Sequence, residues 1–184
     1  MKHIGKSYDK VDAKGILSGK PSYTGDFVPK DALIIKVLRS PHAQAKIKSI
    51  DTSKAKLIPG VEAIFTYEDV PNTRFTLAGQ TYPEPSAYDA LILDSVVRYV
   101  GDEVALVVAK DEATALKAMP LIKVEYEVQK PVLDLRTAMD HETVVHPEDD
   151  ILNHIPVGQD YKRNICVSYH KRVGDIEGEL ARSE

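Results

Sequence analysis

The amino-acid sequence predicts one globular domain that contains both β-strands and short α-helices. The chain has 184 residues, close to the ~150 residues typical of a domain, and it is long enough to fold without a disulfide or metal. Its composition, 43% hydrophobic and 28% charged, is that of an ordinary globular protein. Short apolar or alternating segments, separated by capping and turn residues, indicate strands that alternate with helices.

Charge and cysteine content exclude several classes of protein. The formal net charge of -4 argues against a nucleic-acid-binding protein, because the phosphate backbone attracts basic surfaces. The single cysteine, Cys166, cannot form an internal disulfide and cannot alone hold an iron–sulfur cluster. Its presence as a lone thiol favours a reducing compartment. The first twenty residues lack the apolar core of a signal peptide, and the apolar run at 104–109 is too short for a membrane span. We therefore expect a cytoplasmic protein that binds neither nucleic acid nor membrane.

The first part of the chain is predicted to contain an extended arm, three strands and one short helix. The arm, residues 1–30, is rich in Gly, Lys, Ser and Asp without a clear period. The first strand is a continuous apolar run and the second alternates, which is typical of a half-buried strand. The helix has capping residues at its start and Pro59-Gly60 after its end. The strands are residues 32–38, 45–50 and 61–65, and the helix lies within 51–57.

Residues 103–128 are predicted to form a strand–helix–strand unit. Residues 103–109 are strongly apolar, Asp111 is a good N-cap, and Pro120 ends the helix. Residues 123–128 alternate and form the second strand. The length of the connection permits a right-handed crossover between parallel strands. We expect the side chains buried in this unit to be Val104, Leu106, Val108 and Leu116.

Two segments lack a sustained period. Residues 71–95, with Pro71, Pro83 and Pro85, form a long connection, which is either a functional loop or a surface excursion. Residues 140–164 are acidic and are predicted to be loop. Strands are also predicted at Val96-Val97 and at 165–173, of which the second is the last strand in the chain. A helix begins in 175–182.

Candidate catalytic and metal-binding residues are few. The acidic loop holds histidines and carboxylates suited to zinc or manganese, but their spacing matches no metal-binding helix, so we interpret the segment as a solvated loop. Cys166 has apolar neighbours and is interpreted as a small core residue. Glu125 and Glu127 share the exposed face of a strand, and His42 is interpreted as a structural histidine. The loop residues considered are His141, Glu142, His146, Glu148, Asp149, Asp150 and His154.

An ordered series of short motifs resembles the opening domain of molybdenum hydroxylase large subunits, the family of xanthine dehydrogenase and aldehyde oxidase. The series spans most of the chain, roughly residues 10–182. The motifs are Leu-Arg-Ser-Pro-His-Ala at 38–43, Pro-Gly-Val at 59–61, Asp-Val-Pro at 69–71, Val-Arg-Tyr-Val-Gly-Asp at 97–102, Val-Glu-Tyr-Glu at 124–127 and Lys-Pro-Val-Leu-Asp at 130–134.

This resemblance implies an α+β fold, the α/β-hammerhead domain, with a mixed sheet and short helices. Residues 1–30 would be a lead-in arm and residues 31–140 the hammerhead core. Residues 141–184 would hold the acidic loop, the final strand and the start of a connection to catalytic domains. The helix that ends at Met119-Pro120 departs from the family, whose helix is uninterrupted.

The resemblance also implies which parts of the enzyme lie elsewhere. No position matches the family's molybdenum-cofactor or base-glutamate motifs, so we assign no catalytic, cofactor-binding or metal-binding residue to this chain. Iron–sulfur clusters and FAD would lie on partner subunits of an oligomeric holoenzyme, because the motifs begin close to Met1. The alternative is a standalone, non-catalytic interaction module that reuses the fold.

The loop after Asp-Val-Pro resembles one that approaches the substrate channel in this family. An exposed aromatic side chain beside a cation can line an apolar entrance with a polar anchor. The candidate substrate-entrance residues are Arg74, Phe75, Leu77 and Tyr82.

Overall fold

Two three-stranded antiparallel sheets and a few short helices make up the fold in the computed structural model, which describes residues 4–20, 23–78 and 86–183. Strand order is β1-β5-β3 in the first sheet and β4-β2-β6 in the second. This is the α+β class expected from the sequence. The strands are β1 (Ile34–Arg39), β2 (Ala45–Asp51), β3 (Val61–Phe65), β4 (Val96–Val97), β5 (Glu103–Ala109) and β6 (Lys123–Val128).

The two strands of the predicted strand–helix–strand unit lie in different sheets. β5 is the central strand of the first sheet and pairs antiparallel with both β1 and β3. β6 instead pairs antiparallel with β2 in the second sheet. The parallel crossover that the length of the connection permits does not form, because the helix between β5 and β6 leads the chain from one sheet to the other.

The helix between these strands, α3 (Glu112–Ala118), packs on the first sheet through small side chains. Asp111 caps it by accepting a hydrogen bond from the Thr114 backbone N–H at 2.7 Å. Ala115 and Ala118 are fully buried, whereas Leu116 is 51% exposed. The prediction that Leu116 is buried was wrong. Successive helical residues differ by about 100°, so the close contact made by the alanines turns Leu116 toward solvent.

The core divides into two clusters that share β5. Ala105, Val107 and Ala109 of β5 are fully buried in the cluster beneath α3. On the opposite face, Val104 packs with Ala45, Ile47 and Val97 of the second sheet. Val104 is thus buried as predicted. The prediction for Leu106 and Val108 was wrong, since both are only half-buried.

Both ends of the chain differ from the sequence expectation. The N-terminal arm contains α1 (Ala13–Leu17) and a 3₁₀ turn at Thr24–Phe27, so it is not extended throughout. The predicted strand at 165–173 does not form, and Asp160 pairs with Ile165 only in an isolated bridge. Cys166 is exposed rather than part of the core.

The remaining helices are short and follow the sequence pattern. α2 (Ser53–Lys56) and α4 (Ile176–Arg182) lie where helices were predicted. The Asp175 carboxylate caps α4 by accepting from the Gly178 N–H at 3.1 Å. Within the described ranges, none of these helices has the length and apolar character needed to cross a membrane.

Candidate functional site

Arg98, which directly follows β4, connects the core of the fold to a C-terminal segment that we call the strap, residues 141–167. Its guanidinium donates to the Asp94 carboxylate at 2.7 Å and to the Val145 carbonyl oxygen at 3.2 Å, and it pairs with Glu148. The Arg98 side chain is only 12% exposed. The backbone N–H of Arg98 donates to Asp102 at 2.7 Å. Arg98 therefore holds the strap from a site inside the fold.

A second arginine ties the strap to the segment that precedes β4. Arg74 donates from Nε to Asp150 at 2.8 Å and from Nη1 to the Asp89 carbonyl oxygen at 2.9 Å. Nearby, the Tyr88 N–H donates to the Leu152 carbonyl oxygen at 2.9 Å, in an isolated β-bridge. The irregular segment before β4 and the acidic strap are thus bound to each other.

Asn164 organises the end of the strap. Its backbone is left-handed, with φ of 57°, a conformation that asparagine tolerates better than most residues. The side-chain amide donates to the carbonyl oxygens of Ala138 and Thr143 at 3.0 and 2.9 Å. Its oxygen accepts from the Val145 N–H at 2.8 Å. One side chain therefore satisfies three backbone groups of an otherwise irregular segment.

Burial and charge set the protonation of the carboxylates around Arg98. Burial alone would raise the pKa of Glu148, but its contacts with His146 and Arg98 outweigh burial and lower the pKa to about 2. Burial dominates at Asp102 and raises its pKa. Glu148 is thus an anion at neutral pH, in a position that is only 17% exposed.

Two cavities meet at His146. One, of about 560 Å³, lies between residues 86–89 and the strap and has several alanine and valine side chains in its wall. The other, of about 400 Å³, is lined by residues that include Phe75, Leu77, Ile92 and Tyr99. His146 and Asp89 line both cavities.

The three predicted entrance residues that the structure describes lie in different environments. Arg74 is 10% exposed and bound to Asp150, so it faces inward. Phe75 is half-buried, pairs with Ala90 in an isolated bridge and lines the 400 Å³ cavity. Leu77 lines the same cavity and is 85% exposed. Tyr82 lies outside the described residues. Phe75 and Leu77 are therefore brought together, while Arg74 belongs to the contacts that hold the strap.

Sequence reasoning missed the residues that hold the strap. Arg98 and Asp102 lie within the Val-Arg-Tyr-Val-Gly-Asp motif, yet that motif gave no role to either. His146 and Glu148 were interpreted as part of a solvated loop, whereas Glu148 is largely buried against Arg98. The spacing of His146 and Glu148, one on each side of Pro147, matches no known motif. The sequence therefore could not predict the contact of Glu148 with Arg98, fifty residues earlier in the chain.

The other candidate residues from the sequence lie at the surface or take part in packing. Glu125 and Glu127 are exposed on β6, as predicted. The His42 ring packs edge-on against Tyr126, with ring centroids 4.8 Å apart. Across residues 4–20, 23–78 and 86–183, no group of three His, Cys, Asp or Glu side chains is arranged to hold a metal ion.

A molybdenum–pterin cofactor does not fit the 560 Å³ cavity. The cofactor carries phosphate, which needs cationic side chains or converging backbone N–H groups. The residues that line this cavity include no lysine or arginine, and Asp89 adds a negative charge. The lining of this cavity is therefore not that of a phosphate-binding site.

Comparison with known proteins identifies the family. Residues 18–130 match the family described as "Aldehyde oxidase and xanthine dehydrogenase, a/b hammerhead domain". The chain is 40% identical to the probable hypoxanthine oxidase XdhD of Escherichia coli O157:H7, over 98% of this chain and 21% of the relative. It is 33% identical to the carbon monoxide dehydrogenase large chain of Afipia carboxidovorans, over 97% of this chain and 22% of the relative.

A solved structure gives the same result. The aldehyde oxidoreductase of Desulfovibrio gigas superposes with a TM-score of 0.66 and 30% identity, over 78% of this chain and 16% of that one. The chain thus spans about a fifth of the length of these relatives. The chain belongs to the aldehyde oxidase and xanthine dehydrogenase family, and its fold is the α/β-hammerhead domain of the large subunits of these molybdenum hydroxylases.

Proposed function

We propose that the chain is the N-terminal structural domain of a molybdenum-dependent hydroxylase large subunit, a xanthine dehydrogenase-like oxidoreductase. The observation that carries the proposal is the similarity to XdhD over 98% of the chain but only 21% of the relative. A contiguous match of this kind is what one domain of a much longer enzyme gives. In this proposal residues 1–30 are a lead-in arm, residues 31–140 are the hammerhead core, and residues 141–184 lead toward catalytic domains.

The exposed apolar side chains near the C-terminus support a larger assembly. Single exposed apolar residues are normal on a protein surface, but a large number of them is consistent with a surface that other protein covers. Beyond β6, more than half of the side-chain surface is exposed in Leu133, Leu135, Val167, Tyr169, Val173 and Leu180. We propose that other parts of the same large subunit cover these side chains.

The chain itself is proposed to be inactive and to leave catalysis to the rest of the enzyme. The molybdenum–pterin cofactor would be bound by downstream domains, and iron–sulfur clusters and FAD by partner subunits of a cytoplasmic oligomer. The absence of a cationic side chain from the lining of the 560 Å³ cavity supports this division. The role left to the described residues is to pack the fold and to shape the approach to the substrate.

That approach is proposed to run past the 400 Å³ cavity. Its wall combines the apolar side chains of Phe75, Leu77 and Ile92 with charged side chains that include Asp94, Arg98 and Glu103. Tyr99 adds a hydroxyl that donates to Glu103 at 3.0 Å. A wall of this mixed composition suits a small molecule that has polar groups as well as an apolar part. Tyr82 remains a candidate for the same entrance.

Purification of the natural polypeptide from its source tests this proposal against the alternative. An antibody raised against residues 1–184 would isolate the polypeptide, and mass spectrometry would give its size and its bound partners. We expect a large subunit several times longer than this chain, together with iron–sulfur and flavin subunits and hydroxylase turnover. A polypeptide of about 20.4 kDa without these subunits would instead establish a standalone interaction module.

A further inference from the structure

The imidazole of His146 lies between two carboxylates contributed by different segments. Nε2 is 3.9 Å from Asp89 Oδ2, in the segment before β4, and Nδ1 is 3.5 Å from Glu148 Oε2, in the strap itself. The Tyr161 ring faces the imidazole edge-on at a centroid distance of 6.5 Å. Arg98 binds the other oxygen of Glu148.

The hydrogen bonding of this group is incomplete. His146 Nδ1 and Glu148 Oε2 are both buried, and neither makes a hydrogen bond to any described residue. A neutral imidazole has one donor nitrogen and one acceptor nitrogen. Because both nitrogens face carboxylate oxygens, a neutral ring always directs one lone pair at an acceptor. Only the doubly protonated ring can donate toward both carboxylates.

We propose that protonation of His146 is a latch that closes the strap onto the segment before β4. The imidazolium pairs with Asp89 on one side and Glu148 on the other, and so adds a third connection to those made by Arg74 and Arg98. Loss of the proton leaves the two arginine contacts but removes this one. Because His146 lines both the 560 Å³ and the 400 Å³ cavity, the latch also changes the wall that they share.

The direction of the pH dependence follows from the charges. Histidine side chains titrate between about pH 5 and 8, and Glu148 remains ionised because its pKa is lowered to about 2. The two carboxylates attract an imidazolium and not a neutral ring, so the added contact is present at the acidic end of this range. It is lost as pH rises and the proton leaves.

Hydrogen–deuterium exchange on the natural polypeptide that contains these residues tests the latch. Exchange of the strap amides at 145–152 is measured at pH 5.5 and pH 8 and corrected for intrinsic exchange. We expect protection about three- to tenfold greater at pH 5.5, which corresponds to one or two partly exposed ion pairs. His146→Gln should abolish the difference, and His170→Gln, at an exposed histidine outside the strap, should retain it.

Asp89→Asn provides an independent test if His146→Gln does not fold. It removes one of the two carboxylates, so the pH difference should become smaller. Equal protection of the wild-type strap at both pH values would overturn the proposal. So would a pH difference that survives unchanged in His146→Gln or in Asp89→Asn.

Discussion

Arg98 and Glu148, fifty residues apart in the chain, form an ion pair between the end of β4 and the strap. Both side chains are largely buried, and Arg98 also binds Asp94 and the Val145 carbonyl oxygen. A buried ion pair stabilises a fold only while both partners are present, because removal of one leaves an uncompensated charge. The contact between the strap and the end of β4 therefore depends on Arg98.

Replacement of this arginine should destabilise the fold strongly. We expect Arg98→Met to lower the free energy of unfolding by about 3 kcal/mol, since it leaves Glu148 and Asp94 buried without a cation. Arg136→Met is the matched control, because Arg136 pairs with Asp134 in a position that is 82% exposed, where solvent screens the pair and its loss should change stability far less. Urea unfolding of both variants measures the difference, and equal effects would contradict the role given to Arg98.

Acid should weaken the same contact. The pKa of Glu148 is about 2, below its ordinary value of 4.5, so its contribution to stability is complete above pH 4.5 and is lost as pH falls toward 2. The linkage amounts to at most about 3 kcal/mol. Unfolding measured from pH 6 to pH 3 should depend less on pH in Glu148→Gln than in wild type. Glu127→Gln, at an exposed position on β6, should leave the pH dependence of unfolding as in wild type. If Glu148→Gln also leaves it unchanged, the lowered pKa assigned to Glu148 is wrong.

The two faces of α3 should respond oppositely to changes of size. Leu116→Ala should change the free energy of unfolding by less than about 0.5 kcal/mol, because Leu116 is exposed. Ala118→Leu should cost about 1–3 kcal/mol, because Ala118 is fully buried against the sheet. Thermal or urea unfolding measures both, and the reverse order would mean that the helix packs through its other face.

The left-handed backbone and the three hydrogen bonds of Asn164 should be separable by substitution. Asn164→Ala loses the bonds to Ala138, Thr143 and Val145 and strains the backbone, for a cost of about 3 kcal/mol. Asn164→Gly loses the same bonds without the strain, so it should be about 1 kcal/mol less destabilising. Urea unfolding measures both variants. If their free energies of unfolding are equal, the left-handed backbone of residue 164 does not affect stability.

Substrate dependence tests the proposed entrance. In the natural enzyme, Phe75→Ala with Tyr82→Ala should raise the KM for bulky substrates about tenfold, with a smaller effect on kcat and on stability. Steady-state kinetics with one small and one bulky substrate measure this, and Leu116→Ala serves as a surface control. Kinetics that stay unchanged for both substrates would remove the loop from the path of the substrate.

The sequence predicts strands far better than it predicts contacts between distant segments. Residues 103–109 and 123–128 carry continuous or alternating apolar patterns, so β5 and β6 could be located from local periodicity. Local periodicity could not show in which sheet each strand lies, because strand pairing depends on partners such as β2, which is far earlier in the chain. The face of α3 was misassigned because Leu116 is the larger apolar residue, while the contact with the sheet is made by alanines.

The surroundings of the candidate residues could be predicted only in part, for a related reason. The irregular segment before β4 was identified by its prolines, and Phe75 and Leu77 do line a cavity there. The inward position of Arg74 depends on Asp150, which no local pattern connects to it. The expected strand at 165–173 failed because an alternating pattern needs a neighbouring strand, and Ile165 finds only an isolated bridge to Asp160.

Molybdenum content tests the central claim most directly. Inductively coupled plasma mass spectrometry would compare the natural polypeptide, isolated with its partners, with residues 1–184 purified alone under cofactor-sufficient conditions. The proposed structural role predicts about one molybdenum atom per natural polypeptide and none above background in residues 1–184. Stoichiometric molybdenum bound to residues 1–184 alone, or a natural polypeptide without molybdenum, would contradict it.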